Sequence, residues 1–269
     1  GCNDGTLLRA LPATFHKIGI DPSNIARQGE GDYEVVNDFF PSSALAKALA
    51  GRQCDVVTSI AMFYDLEAPK TFVRELKSIL SPDGIWIFEM SYMPLMLEMN
   101  SYDTICHEHL EYYSLSVIEK ILGRAGLKAV RVSTNDINGG SIRCYATHAD
   151  CYRYSSPEHM TELHRVRQRE FELELDTDRP YRHFQERIDK HKRELSDLVR
   201  KLRRDDPLAD IASDSAELAR GVRGCERVQR VLYRIDWHGC PPRARTEGSS
   251  PRAKSCGYSL DRPALADIR

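Results

Sequence analysis

The order of strands and helices in the first 150 residues restricts this chain more than any single motif does. Cys54-Asp55-Val56-Val57-Thr58-Ser59-Ile60-Ala61-Met62 reads as a strand apolar enough to be buried on both faces. Pro69 to Leu80 is amphipathic at helical spacing, Ser81-Pro82-Asp83-Gly84 reads as a turn, and Ile85 to Met90 returns as a strand. The same alternation runs upstream. Phe15 to Ile20 and Tyr33 to Phe40 are strands, while Ser23 to Gln28 and Ser42 to Gly51 are helices. Downstream, Ser114 to Ala125 is a helix closed by Gly126. Leu127 to Ser133 and Ser141 to His148, joined by a glycine-rich turn, suit an antiparallel hairpin at a sheet edge. Strands alternating with helices of about a dozen residues imply an α/β fold with a doubly wound, mostly parallel sheet.

This pattern stops near residue 150. Pro157 to Arg204 is rich in Glu, Arg, Lys and Leu and is broken only at Pro180. It reads as two long helical segments with a sparse apolar stripe of Leu163, Val166, Phe171, Phe184, Ile188, Leu195 and Leu198. Residues 206–269 change again, with ten Arg and one Lys and no hydrophobic period, so a poorly ordered tail is expected there. The expected division is a catalytic domain over 1–150, a helical linker over 151–205 and an anomalous tail over 206–269. A net charge of −2 gives no reason to expect a nucleic-acid partner. No apolar run approaches the roughly 20 residues that span a bilayer. The eight cysteines show no paired CxxC spacing. A cytoplasmic, monomeric protein without a membrane partner is the expectation.

Three stretches carry chemistry. Gly1-Cys2-Asn3-Asp4-Gly5 opens a helix at Thr6, and a glycine turn of that kind lets backbone amides approach a ligand closely. The strand that normally precedes such a turn is absent, so the first strand is expected to be missing. Asp21 ends the second strand some 16 residues later, where an acid can bind ribose hydroxyls. It can equally cap a helix, since Pro22 follows it. Ser101 to Leu115 then sets Cys106, His107, Glu108 and His109 side by side, among Tyr102, Tyr112 and Tyr113. Three adjacent ionisable groups are too costly to bury unpaired, and histidine exchanges protons near neutral pH. A metal site there is disfavoured, because on a strand only His107 and His109 would share a face. Cys106 reads as a passive thiol, and Tyr113 is balanced between packing and substrate contact.

Taken together, Gly1–Gly5, Gly19-Ile20-Asp21-Pro22-Ser23, Thr58 to Leu66, Tyr102 to His109 and Asn138-Gly139-Gly140-Ser141-Ile142-Arg143 resemble the class I S-adenosylmethionine-dependent C-methyltransferases that act on nucleotide-linked sugars. The resemblance covers residues 1 to about 200 and implies a Rossmann-like sheet. It implies that Gly1, Cys2, Asn3, Asp4 and Gly5 hold the methionine part of S-adenosyl-L-methionine, and that Asp21 with Pro22 holds the ribose. Asp38 and Phe39 would flank the adenine, and Ile60, Ala61 and Met62 would sit beside the cofactor. It makes His109 the general base with Glu108 and Tyr64 beside it, and His107, Tyr113 and Asn138 substrate contacts. The substrate it implies is a nucleotide-linked keto sugar, and no metal is needed. The family's zinc-binding module and intact C-terminal domain are missing from the pattern. The alternatives are O- or N-methylation of a small molecule, a catalytically silent fragment that binds the cofactor weakly, or an interaction module using the long charged helix.

Overall fold

The computed structural model describes residues 1–205, in two compact units divided after Ala48. The tail expected over 206–269 lies outside the described residues.

The first unit holds α1 (Thr6–Ala10), β1 (Ile18–Ile20), a 3-10 turn over Asn24–Gly29, β2 (Glu34–Val36) and α2, which begins at Ser43. β1 and β2 pair in parallel, from Ile18 opposite Glu34 to Ile20 opposite Val36. Both strands are shorter than their apolar runs suggest. The Phe15 N–H is taken by the Pro12 carbonyl in a turn. β2 ends where the Asn37 side chain folds back, its Nδ2 donating to the carbonyls of Asp21 (3.0 Å) and Ser23 (2.8 Å).

The second unit contains β3 (Cys54–Ile60), α3 (Pro69–Ile79), β4 (Leu80–Ser91), α4 (Met93–Met99), α5 (Leu115–Ala125), β5 (Leu127–Asn135), β6 (Ser141–His148), α6 (Pro157–Glu172) and α7 (Arg179–Asp205). Its sheet has the order β3-β4-β6-β5. β3 and β4 are parallel, and the β5–β6 hairpin joins antiparallel through β6. This is an α/β sheet with an antiparallel hairpin at one edge. α3 starts on Pro69 at its first turn and buries Phe72, Val73 and Leu76. α5 is bounded by Ser114, whose hydroxyl accepts from the Val117 N–H, and by Gly126 in the left-handed region at φ 76°. Trp86 and Phe88 stack at the centre of the core, their ring centroids 3.9 Å apart, with Phe63 against both.

Several expectations need correction. Ser81–Gly84 is not a separate turn: it lies inside β4, where the register jumps from Cys54–Leu80 to Val56–Ile85. The extra residues form an irregularity in one strand while its partner continues. β3 is not buried on both faces, because Asp55 and Val56 are exposed and, among the described residues, β4 is its one partner in this sheet. The break between the long helices falls over 173–178, with Pro180 in the first turn of α7. The stripe on α6 is Leu163, Val166 and Glu170, all buried, whereas Phe171 is 79% exposed. The offsets 0, 3 and 7 stay on one helical face, and the next position rotates away from it.

Candidate active site

In the first unit the glycine turn is tied to the end of β1. The Cys2 N–H donates to the Ile20 carbonyl (3.0 Å), and the Asn3 N–H donates to Asp21 Oδ2 (3.0 Å). Gly5 has φ 79°, and a Cβ built on it would lie 1.8 Å from Tyr33 Oη. A Cβ on Gly19 or Gly29 would meet the same ring. The buried Tyr33 phenol therefore occupies the space that three glycines leave open, and no side chain fits at Gly5 in this conformation.

Asp21 is buried and strongly held. Its Oδ1 accepts from the Ser23 N–H (2.8 Å) and hydroxyl (2.6 Å), while Oδ2 accepts from Asn3. Burial works to raise its pKa, but the Ser23 and Asn3 hydrogen bonds outweigh it and hold the carboxyl below its ordinary value. Asp21 is not itself the helix cap, because the 3-10 turn begins at Asn24 with Ser23 before it, so Pro22 lies outside the turn and Asp21 holds Ser23 instead. A carboxylate has about four acceptor positions, and the three bonds leave one for a ribose hydroxyl. Asp38 lies just past β2, its Oδ1 accepting from the Phe39 N–H (2.8 Å), and the Phe39 ring is 72% exposed. The glycine turn, Asp21, Pro22, Asp38 and Phe39 thus gather at the carboxyl ends of two parallel neighbours, where α/β sheets bind nucleosides. An acidic ribose acceptor and an exposed ring beside a glycine turn fit the adenosyl half of S-adenosylmethionine.

The second unit carries the other residues. Ile60 ends β3, and Ala61 turns the chain at φ 53°, its N–H donating to the Glu89 carbonyl (2.8 Å). Met62 leads into a 3-10 turn, Phe63–Asp65. The Tyr64 carbonyl accepts from the N–H groups of both Leu110 and Glu111 (3.1 Å each). This brings the Tyr64 and His109 rings together, with centroids 4.4 Å apart. The Thr104 carbonyl lies 2.8 Å from His109 Nδ1. A carbonyl only accepts, so Nδ1 carries the proton and Nε2 keeps a free lone pair. Burial lowers the His109 pKa, against the Thr104 hydrogen bond and the Glu108 charge, which raise it. The ring is thereby biased to its neutral form.

His107 and Glu108 face solvent, 3.8 Å apart. The segment is a bend rather than a strand, so the alternation of faces expected for His107 and His109 does not apply. Tyr113 lies in the core against Phe63 (5.3 Å), and its buried hydroxyl has no hydrogen-bond partner among the described residues. Asn138 is exposed at φ 54° in the turn before Gly139 and Gly140.

The sequence reading missed several contributors. Asp65, beside Tyr64, is pushed up to about 6, by burial first and then by the Glu108 charge. Glu89, 8% exposed in β4, takes Arg143 Nε on Oε2 (2.6 Å) and Asn135 Nδ2 on Oε1 (3.1 Å). Asn135 Oδ1 in turn accepts from the Ile137 N–H (3.0 Å), which starts the turn carrying Asn138. The signal was present as one acid in the apolar run Ile85 to Met90, since a buried charge demands a partner. Thr104 contributes only its backbone and left no such signal.

Residues 1–132 match the family model described as a methyltransferase domain, and residues 136–211 match a C-methyltransferase C-terminal domain. The C-methyltransferase NovU of Streptomyces niveus is 33% identical over 116 residues, which are 43% of this chain and 26% of NovU. The chain therefore spans about a quarter of that relative's length. Among solved structures, magnesium protoporphyrin IX methyltransferase of Synechocystis PCC 6803 with bound S-adenosylhomocysteine is 17% identical, at TM-score 0.42 over 55% of this chain and 71% of that one. An S-adenosylmethionine-dependent methyltransferase of Clostridium acetobutylicum is 12% identical, at TM-score 0.42 over 55% of this chain and 81% of that one.

Proposed function

We propose that this chain is an S-adenosylmethionine-dependent methyltransferase and that it methylates a carbon beside a ketone of a nucleotide-linked deoxysugar, a reading supported by the methyltransferase-domain and C-methyltransferase C-terminal-domain matches over residues 1–132 and 136–211. The observation that carries this reading is the His109 imidazole, its Nδ1 proton engaged by Thr104 and its Nε2 lone pair free. Carbon acids next to a ketone become nucleophilic only on losing a proton, and a neutral imidazole near pH 7 is a suitable base. S-adenosylmethionine supplies an electrophilic methyl group. Nε2 of His109 would take the α-proton and the electron pair would move into an enolate, whose carbon would accept the methyl group as its bond to sulfur breaks and the neutral thioether S-adenosylhomocysteine leaves. Tyr64 holds the imidazole plane by its ring contact. Glu108 lies close enough to stabilise the imidazolium once it has formed. In this reading the exposed His107 would donate a hydrogen bond to the developing oxyanion, and Asn138 and Tyr113 would be further substrate contacts.

The sugar assignment is supported by Cys106-His107-Glu108-His109 and Asn138-Gly139-Gly140-Ser141-Ile142-Arg143, the two stretches specific to the resemblance. We assign the catalytic domain to 1–150 and the start of the C-terminal domain to 151–205, in a cytoplasmic monomer. The test is deuterium washout from the carbon beside the ketone of a nucleotide-linked keto sugar, with and without His109→Ala. Washout in the parent and none in the variant is expected. Equal washout in both removes His109 from the role of base.

A further inference from the structure

The segment that carries His109 has little regular structure of its own. Between α4 and α5 it holds one 3-10 turn, Tyr102–Thr104, followed by bends and extended chain up to Ser114. Within it, the bond from His109 to Thr104 and a longer one from the Tyr112 hydroxyl to the same carbonyl (3.4 Å) span only a few residues. Its two ends are fixed from much further along the chain.

At the C-terminal end stands Glu170 of α6, 5% exposed. Its Oε1 accepts from the Tyr92 hydroxyl (2.6 Å) and the Leu115 N–H, and its Oε2 accepts from the Ser116 N–H (2.9 Å). The carboxylate thus fills the orphan donors of the first turn of α5, where a negative charge is favoured. Tyr92 is also joined to the segment directly, because it bridges Tyr113 and the Met93 N–H donates to the Tyr113 carbonyl (3.0 Å). At the N-terminal end, the Tyr102 hydroxyl lies 2.8 Å from His191 Nδ1 of α7. Tyr102, Ile105 and Tyr112 pack against a cluster of Met96, Leu97, Leu175, Phe184 and Ile188. Ion pairs Arg167–Glu119 and Arg169–Glu98, and a bond from Arg187 to the Leu97 carbonyl, tie α6 and α7 to α5 and α4.

We propose that α6 and α7 form a clamp that holds both ends of the His109 segment, with Glu170 and the Tyr102–His191 pair as positioning residues that keep the Nδ1–Thr104 bond and leave Nε2 as the base. The inference rests on the reading of His109 as base for its functional meaning, but not for its test. It gives the charged helices after the catalytic domain a role in catalysis beyond linking domains. Glu170 touches no reacting atom and acts through the start of α5 and Tyr113.

Imidazole nitrogen NMR on the full chain tests this, because the tautomer and titration of His109 are read without substrate. The groups facing His109 are Tyr64, Tyr112 and Glu108, with Asp65 next to Tyr64. The parent is expected to show His109 as a single tautomer protonated at Nδ1. Glu170→Gln keeps the shape but replaces an acceptor oxygen with an amide donor. It is expected to give mixed tautomers and a titration moved up toward an ordinary histidine, as water reaches the ring. On the keto-sugar assay the same variant is expected to lose about ten- to a hundredfold in kcat with KM little changed. His191→Ala is expected to move the His109 signals in the same direction by less. Should Glu170→Gln fail to fold, Tyr92→Phe removes one of the three bonds to the carboxylate and carries the same expectation. Folded variants with unchanged tautomer and titration would overturn the clamp. A clamped His109 whose removal leaves deuterium washout intact would instead overturn only its role as base.

Discussion

The glycine turn of the first unit and the His109 segment of the second are held in opposite ways. Around Gly1–Gly5, the fixing bonds come from neighbours in the same small αβ element. Asp21 binds Ser23 two residues on and Asn3 eighteen residues back. Around His109, the ends are fixed by residues 55 and 89 positions away, Glu170 on Leu115 and His191 on Tyr102. A locally closed element keeps its geometry when distant parts change, whereas one held from afar depends on its supports. The ligand binding proposed for the first region and the proton transfer proposed for the second should therefore respond independently to mutation.

The largest expected effect is on the second region alone. His109→Gln should lower kcat/KM by about 10²- to 10⁴-fold, while the heat of S-adenosylhomocysteine binding in calorimetry stays as in the parent. The pH profile sharpens this. A base must be unprotonated, and burial lowers the His109 pKa, so the acid limb of kcat/KM should lie below that of an ordinary histidine. A limb on the alkaline side of 6.5 would contradict the buried geometry.

Glu89→Gln comes next. It leaves Arg143 in a mostly buried site without its counter-charge and loosens Asn135, which starts the Asn138 turn. Breaking such a pair costs about 3 kcal/mol, read as a lower midpoint in urea denaturation. Gly5→Ala then tests the first region. With φ at 79° and Tyr33 Oη in the way, it should weaken S-adenosylhomocysteine about tenfold or more, and cost about 1–3 kcal/mol of stability. A Tyr33→Ala background should recover part of the stability if the clash is the cause. Asp21→Asn should weaken S-adenosylhomocysteine by about tenfold, since one charged hydrogen bond is worth about 1.4 kcal/mol. The His109 imidazole signals should not move, and movement there would break the independence of the two regions.

The same contrast explains what the sequence made legible. The glycine turn, Asp21 and the strand–helix alternation were readable because their partners are near in sequence and their residue types are demanded by backbone geometry. β1 and β2 were overextended because apolar runs do not record where a side chain such as Asn37 folds back to end a strand. The His-Glu-His run marked itself by its charge density, yet its shape was misread as a strand. Thr104 acts through a carbonyl that every residue has. Glu170 was hidden in a helix full of acids, and only its place on the Leu163–Val166 face distinguishes it from them. The exposed Phe171 beside it drew the stripe one position too far.

The smallest expected effect probes crowding of negative charge within the His109 region. Burial and the Glu108 charge raise the Asp65 pKa to about 6, well above its ordinary value. The folded state therefore holds a proton that the unfolded chain releases, so this group's contribution falls as the pH rises from about 4 to about 6. Above that window both states are ionised and the whole penalty is present. Asp65→Asn should accordingly be more stable than the parent at about pH 8 and indistinguishable from it near pH 4, as urea midpoints at the two values will read. Glu108→Gln should shift the window toward lower pH without closing it, because burial is the larger cause. A gain that is equal at both pH values would mean that the carboxyl charge plays no part. The second region would then be held by packing and the distant clamps alone, with no electrostatic strain to relieve.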